Sequence, residues 1–188
     1  MAPKGKLVVI TGPCGVGKST IVREVLARTG ARYSVSATTR KPRGDEVDGR
    51  NYRFVDAATF EAMIAGGELL EWAEVFGHRY GTPAAPVRQA IADGATILLE
   101  IDVQGGLQVH RRHPEATYIL IVPPSEDVLG QRLRGRGTDS PETIARRLAG
   151  AKAELIAAGE SGAYTNVVVN DDLEKAIVRV VDIINKQE

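Results

Sequence analysis

An α/β fold with a mainly parallel sheet flanked by helices is what this sequence predicts, interrupted by a strand-rich insert. Short, apolar, β-branched runs alternate with segments of helical periodicity along most of the chain, the pattern of parallel strands joined by crossover helices. The first run, Lys6-Leu7-Val8-Val9-Ile10, passes through a glycine-rich loop into a helical segment. Between residues 36 and 84 the alternation lapses into turn-rich and strand-like stretches.

The loop after the first strand reads Gly12-Pro13-Cys14-Gly15-Val16-Gly17-Lys18-Ser19. It fits the phosphate-loop pattern, Gly, four residues, Gly-Lys-Ser/Thr, in the strand–loop–helix context that the pattern requires. The backbone of such a loop curls so that N–H groups point inward, and the helix that follows adds partial positive charge at the same point. Lys18 would reach the outer phosphates, and Ser19 would offer its hydroxyl to magnesium. The helix over Ser19–Thr29 has apolar residues at Ile21, Val22, Val25 and Leu26 and a C-cap at Gly30.

Tyr33-Ser34-Val35-Ser36 reads as a second short strand. The composition then changes: Arg40, Lys41, Arg43, Arg50 and Arg53 are interspersed with Pro42, Gly44 and Gly49, a basic, turn-rich stretch unlike a core segment. Tyr52-Arg53-Phe54-Val55 alternates like a half-exposed strand. Asp56 can cap a helix through Phe60, Met63 and Ile64 that stops at Gly66-Gly67. Leu69–Val75 and His78-Arg79-Tyr80 form two strands around a Gly77 turn, with Trp72 expected in the core. The core pattern returns with a helix over Pro86–Ala92 and a buried strand over Thr96–Asp102 that finishes in acids. Such a strand end beside a phosphate loop is where a magnesium-side carboxylate belongs. A helix over Gln104–His113, a strand over Tyr118–Val122 and a helix capped by Ser125 follow, the last running out into the basic, glycine-hinged stretch Arg132–Thr138. Ser140-Pro141 opens a long helix. Asn166–Asn170 is the last strand and Leu173–Ile184 the last helix.

The 188 residues suit one domain with a core and small inserts. Basic and acidic residues balance at 24 each, which argues against a non-specific nucleic-acid surface. No segment is long enough to span a membrane, and the chain enters its first strand without a secretory hydrophobic region. Cys14 is the single cysteine, so internal disulfides are excluded and a reducing cytoplasm is the expected setting. His78, His110 and His113 have no metal-ligand spacing and read as surface residues.

The arginines fall into two groups, Arg40 and Arg43 in the first irregular segment and Arg132, Arg136 and Arg147 around the second. A phosphate loop holds one nucleotide; a second arginine cluster suits a second anion. Two anions with magnesium between them are what phosphoryl transfer requires.

The chain resembles guanylate kinase. The resemblance rests on Gly12–Ser19, Ser34–Arg43, Gly49–Tyr52, Glu71-Trp72-Ala73, Tyr80-Gly81-Thr82, Asp102–Gly105, Arg132–Thr138 and Asn170-Asp171-Asp172, in order over nearly the whole chain. It implies a phosphate-loop NTPase-like fold in three parts: a core (1–35, 85–125 and 164–188), a GMP-binding insert (36–84), and a helical lid with its following helix (126–163). It implies Mg-dependent transfer of the γ-phosphate of ATP to GMP, these two nucleotides as partners, and a monomer or homodimer. By the same resemblance ATP is held by residues 12–20, from Gly12 through Thr20, and by Arg132, Arg136 and Asn170. Arg40, Arg43, Tyr52 and Tyr80 correspond to ligands of the GMP phosphate, and Ser36, Glu71 and Thr82 to contacts of the guanine. Asp102 matches an acid on the GMP and magnesium side, reaching the metal through water. Lys18, Arg40, Arg136 and Arg147 are the implied catalytic group. Cys14 replaces a common serine, Ala37 a frequent second serine, and Glu100 an aspartate; none of these removes a charge the reaction needs.

The residue types also make chemical sense. Guanine offers donors at N1 and N2, which an ionised Glu71 accepts, and an acceptor at O6, which Ser36 can satisfy. On pattern alone, Glu71 reads as a solvated strand residue. A non-catalytic scaffold of similar fold, or a kinase of a sugar phosphate such as ribose 1,5-bisphosphate, would need neither the full phosphate loop with its lid arginines nor Glu71 and the paired tyrosines, respectively.

Overall fold

The structure is a computed structural model and describes residues 5–135, 137 and 139–186. At its centre lies a five-stranded, wholly parallel sheet. The middle strand β1 (Lys6–Thr11) continues through the glycine loop into α1 (Lys18–Thr29). The edge strand β2 (Arg32–Tyr33) follows. The chain then leaves this sheet, so of the strand expected at 33–36 only Tyr33 is in β2, residues 34–36 are a connection, and β3 (Ala37–Thr38) belongs to a second sheet. That second sheet also contains β4 (Arg53–Phe54) and, after helix α2 (Ala57–Ala65), the hairpin strands β5 (Leu69–Val75) and β6 (His78–Pro83). Its order is β4-β3-β6-β5.

Helix α3 (Ala84–Ala92) returns the chain to the large sheet at β7 (Thr96–Glu100). Helix α4 (Val103–Arg112), strand β8 (Thr117–Val122), helix α5 (Glu126–Gly135), the long helix α6 (Pro141–Ser161), strand β9 (Asn166–Val169) and helix α7 (Leu173–Asn185) complete the chain. The large sheet runs β2-β7-β1-β8-β9.

Alternation along β1 explains the two-sided core. Leu7 and Val9 join a cluster with residues of α3, α4 and α6. Val8 and Ile10 point the other way, into a cluster with α1 and α7. A strand covered on both faces reads as a continuous apolar run. Helix starts follow their capping residues: Asp56 accepts from Thr59 N, Asp102 from Gly105 N, Ser140 from Thr143 N and Asp172 from Lys175 N. The small sheet has a core of its own around Phe60, with Ala37, Met63 and Leu69; burying such a ring contributes about 1.5–3 kcal/mol. A fourth cluster joins α5 to α6 through Leu129, Leu133, Ile144 and Ala151, and Cys14 of the glycine loop packs against it.

Three expectations are corrected by the pleat and by local packing: a solvated Glu71, a core Trp72 and surface histidines. On β5 the inward positions include Glu71 and Ala73, so Trp72 faces out and is exposed, with the Arg79 guanidinium 6.0 Å from its ring centroid. The histidines are half-buried rather than on the surface; His110 packs edge-on against Tyr118, with ring centroids 4.9 Å apart.

Candidate active site

A cleft of about 510 Å³ opens where β1 and β7 end, the side of a parallel sheet at which ligands bind. Its floor is the glycine loop. Gly17 caps α1 with φ of 98°, and a Cβ there would lie 2.6 Å from Nδ2 of Asn170, so both backbone and space demand glycine. Asn170 is buried and donates from Nδ2 to the Val16 carbonyl at 2.7 Å. Arg132 donates to the carbonyls of Asn170 (2.8 Å) and Val16 (3.4 Å). Asn170 and Arg132 thus brace the loop from behind, and neither lines the cleft.

Within the cleft, the Lys18 ammonium donates to the Gly12 carbonyl, folding the side chain back across the loop. Ser19 donates to Oε1 of Glu100 at 2.6 Å. From α6, Arg147 donates to Sγ of Cys14 at 3.1 Å and pairs with Asp139, also at 3.1 Å. Glu154, two helical turns further along α6, lines the same space; burial pushes its carboxyl up to about 7, with Lys18 opposing and Asp102 adding to the shift.

The opposite wall comes from the small sheet. Arg43, Tyr52 and Tyr80 line it, the two tyrosine rings meeting edge-on at 5.9 Å. Arg40 lies behind them, buried and outside the cleft lining. Its Nε donates to the Tyr80 hydroxyl at 3.2 Å, its guanidinium forks onto Glu46 at 2.8 and 2.9 Å, and Cζ lies 5.3 Å from the Tyr52 centroid. The Glu46 bond raises the Arg40 pKa further, so this cation is permanent.

Glu71 and Ser36 close the far end, both buried and both lining the cleft. The Glu71 side chain is held by Thr82, whose hydroxyl donates to Oε1 at 2.6 Å. The first turn of α4 approaches so closely that a Cβ on Gly105 would lie 3.0 Å from Glu71 Cδ. Burial pushes the Glu71 carboxyl up to about 7; the Thr82 hydrogen bond opposes this and the nearby Asp102 adds to it. Asp102 is itself raised by burial, against its backbone bond from Gly105 and the charge of Lys18.

The predicted residues therefore divide. Gly12, Pro13, Cys14, Gly15, Gly17, Lys18, Ser19, Thr20, Ser36, Arg43, Tyr52, Glu71, Tyr80, Asp102 and Arg147 share one cleft. Val16, Arg40, Thr82, Arg132 and Asn170 stand behind it, each bonded to a neighbour of the cleft or of the loop. Arg136 lies outside the described residues. Sequence patterns assign no role to Glu46 and Glu154; they place Gly105 in a matched stretch and Glu100 in an acid-ended strand, without their contacts to Glu71 and Ser19. Glu46 carried a readable signal, an acid six residues after Arg40 in an otherwise basic turn.

A cleft floored by a glycine loop with the phosphate-loop pattern, with cationic and phenolic groups on its opposite wall, has the layout for two phosphate-bearing ligands in one space. That layout defines the class, a phosphate-loop nucleoside monophosphate kinase. Comparison with known proteins gives the particular family. The guanylate kinase family model matches residues 4–187. The guanylate kinase of Nocardia farcinica is 54% identical over 183 residues, covering 96% of this chain and 93% of that protein. The guanylate kinase of Thermosynechococcus vestitus is 54% identical over 175 residues, covering 93% and 90%. The crystal structure of guanylate kinase from Anaplasma phagocytophilum superimposes with a TM-score of 0.78 at 34% identity, covering 96% of this chain and 85% of that one. The chain belongs to the guanylate kinase family, and its activity is that of an ATP:GMP phosphotransferase.

Proposed function

We propose that the chain transfers the γ-phosphate of ATP to GMP with roles divided along the cleft: the core (1–35, 85–125 and 164–188) holds ATP, the 36–84 insert holds GMP, and the 126–163 segment supplies the covering arginines. A phosphate oxygen of GMP attacks the γ-phosphorus, the bond to the β–γ bridging oxygen breaks, and ADP and GDP result. The protein's part is positioning and charge neutralisation. The loop backbone and Lys18 hold the ATP phosphates. Arg43, Tyr52 and Tyr80 hold the GMP phosphate, with Arg40 kept charged behind them by Glu46. Arg147, whose guanidinium lies against Cys14 of the loop, offsets charge on the transferred group.

The oxygens around Ser19, a hydroxyl bonded to Glu100 with Asp102 in the same cleft, suit magnesium, which takes oxygen ligands and shares substrate phosphates. Ser19 would hold the ion together with ATP phosphates, Glu100 would orient that hydroxyl, and Asp102 would reach the ion through water. Magnesium bound there supplies further neutralisation of the phosphates. A cytoplasmic setting accompanies this reading; among the described residues, no helix is long and apolar enough to cross a membrane.

The observation that carries the choice of base is Glu71, a 4% exposed carboxylate facing the cleft with a Thr82 hydroxyl on one oxygen. Guanine presents two donors to it, whereas adenine N1 would face it without a hydrogen. ADP release measured with GMP, AMP and ribose 1,5-bisphosphate tests the reading. GMP is expected to be the efficient acceptor, and comparable rates with AMP or the sugar phosphate would contradict it.

A further inference from the structure

The hairpin of β5 and β6 closes after the pair Val75–His78 with the two-residue turn Phe76-Gly77. Both turn residues have positive φ, 51° and 77°, the pattern of a type I′ turn. The first position of such a turn favours Asn, Asp or Gly, because a Cβ is strained there. A bulky aromatic at positive φ is an outlier, and Phe76 is the only non-glycine among the described residues to adopt it. Nor does burial compensate: Phe76 is 49% exposed. A residue that breaks its local preference without core packing in return points to a role for the side chain.

What the ring touches supplies that role. Phe76 lines the cleft, and its centroid lies 5.3 Å from Cζ of Arg147 and 5.9 Å from Cζ of Arg146, both on α6. These are cation–π distances. Arg147 is fixed on its other sides by Cys14 of the glycine loop and by Asp139 just before α6. Its Nε is buried with no hydrogen-bond partner among the described residues, so the Cys14 and Asp139 contacts are made from the two terminal nitrogens. Three segments therefore meet at one guanidinium: the loop, the segment before α6, and the tip of the hairpin whose strand β5 also carries Glu71.

We propose that Phe76 is a positioning residue for phosphoryl transfer: the left-handed turn holds its ring as a platform that sets the Arg147 guanidinium over the phosphate loop. The proposal rests on the reading above that Arg147 acts on the transferred phosphate. It makes the hairpin a physical link between the end of the cleft that reads the base and the cation that serves the reaction.

The test compares Phe76→Leu, Phe76→Tyr, Phe76→Gly, Arg147→Ala and the double variant Phe76→Leu/Arg147→Ala, by steady-state ADP release and thermal melting. Phe76→Leu is expected to lower kcat by about two- to fivefold, the size of an exposed cation–π contact, with the KM for GMP little changed. Phe76→Tyr keeps the ring and is expected to keep kcat. Phe76→Gly relieves the backbone and is expected to melt no lower than wild type while losing kcat like the leucine variant, a split that a merely structural role would not produce. In the double variant the Phe76 change is expected to add nothing to the loss from Arg147→Ala. If Arg147→Ala leaves kcat intact, the reading of Arg147 fails and takes the proposal with it. If Arg147→Ala is impaired while Phe76→Leu matches wild type, or if tyrosine fails to rescue, or if the two losses multiply, the proposal on Phe76 fails alone.

Discussion

The two ends of the cleft are built by opposite means. At the phosphate end, residues 12–20 form one contiguous turn in which glycine backbone, a helix start and Lys18 do the work. At the base end, Ser36, Glu71 and Thr82 come from separate segments and contribute side chains, with Gly105 of α4 packed closely against Glu71. The first end, in the proposed reading, meets charge, which every nucleoside triphosphate offers, and it is complete once one strand, one loop and one helix are in place. The second, in the proposed reading, meets the base, and it is assembled only when the small sheet has folded against α4. The cost also differs. The loop leaves its cation partly open to solvent, whereas Glu71 is a buried acid whose ionised form is disfavoured until a partner with N–H donors arrives.

Breaking the phosphate end has the larger expected effect. Lys18→Ala removes a charge aimed at the transferred group, and a loss of at least about 10³-fold in kcat is expected. Because the ammonium's hydrogen bond among the described residues is to the Gly12 carbonyl of the same loop, the melting temperature should be little changed. Near-normal GMP-dependent ADP release by the folded variant would contradict the assignment of the loop.

At the base end the expected signature is a pH dependence. Glu71 has its carboxyl pushed up to about 7, and the protonated form replaces an acceptor with a donor that faces guanine N–H. As pH falls below about 7, kcat/KM for GMP should decline by roughly tenfold per unit relative to Glu71→Gln, which serves as the control for titration of the GMP phosphate and of Glu154. Stability runs the other way. The folded value lies above the ordinary one, so the folded state holds a proton that the unfolded chain releases. Stability is therefore full below about 4.5 and declines as pH rises through about 7. At pH 8, substrate-free Glu71→Gln should melt above wild type. Parallel pH profiles for the two proteins would remove Glu71 from base recognition.

The same contrast explains what was legible in the sequence. The phosphate loop, the buried strands and the capped helices are local in origin, written in apolar runs, glycine spacing and Asp or Ser caps, and they appear where the pattern places them. Non-local features were harder. Burial of Glu71 and exposure of Trp72 are two sides of one pleat, and periodicity alone does not say which face of a strand meets the core. The resemblance implies Arg40 as a phosphate ligand, but its anchoring by Glu46 and Tyr80 depends on a turn returning on itself. The resemblance implies Asn170 and Arg132 at ATP; that both also bond to the back of the loop through the Val16 carbonyl is a contact between distant segments that no spacing announces. Phe76 gave no sequence signal beyond a bulky residue before glycine at a hairpin tip; its meaning depends on α6, some 70 residues further on.

The central claim is that a side-chain pocket, rather than the phosphate loop, makes this cleft selective for GMP. The most direct test is kcat/KM for GMP and for AMP in wild type and in Glu71→Gln. Glutamine can still accept from Thr82 through its carbonyl oxygen, but it turns an amide donor toward guanine N–H. A site built to hydrogen-bond its substrate can reject the wrong partner by about 10⁴–10⁵. The GMP/AMP ratio is expected to fall by at least about tenfold, with GMP efficiency reduced and AMP efficiency reduced less or increased, because one lost buried hydrogen bond costs about 1–3 kcal/mol. An unchanged ratio would show that Glu71 does not read the base.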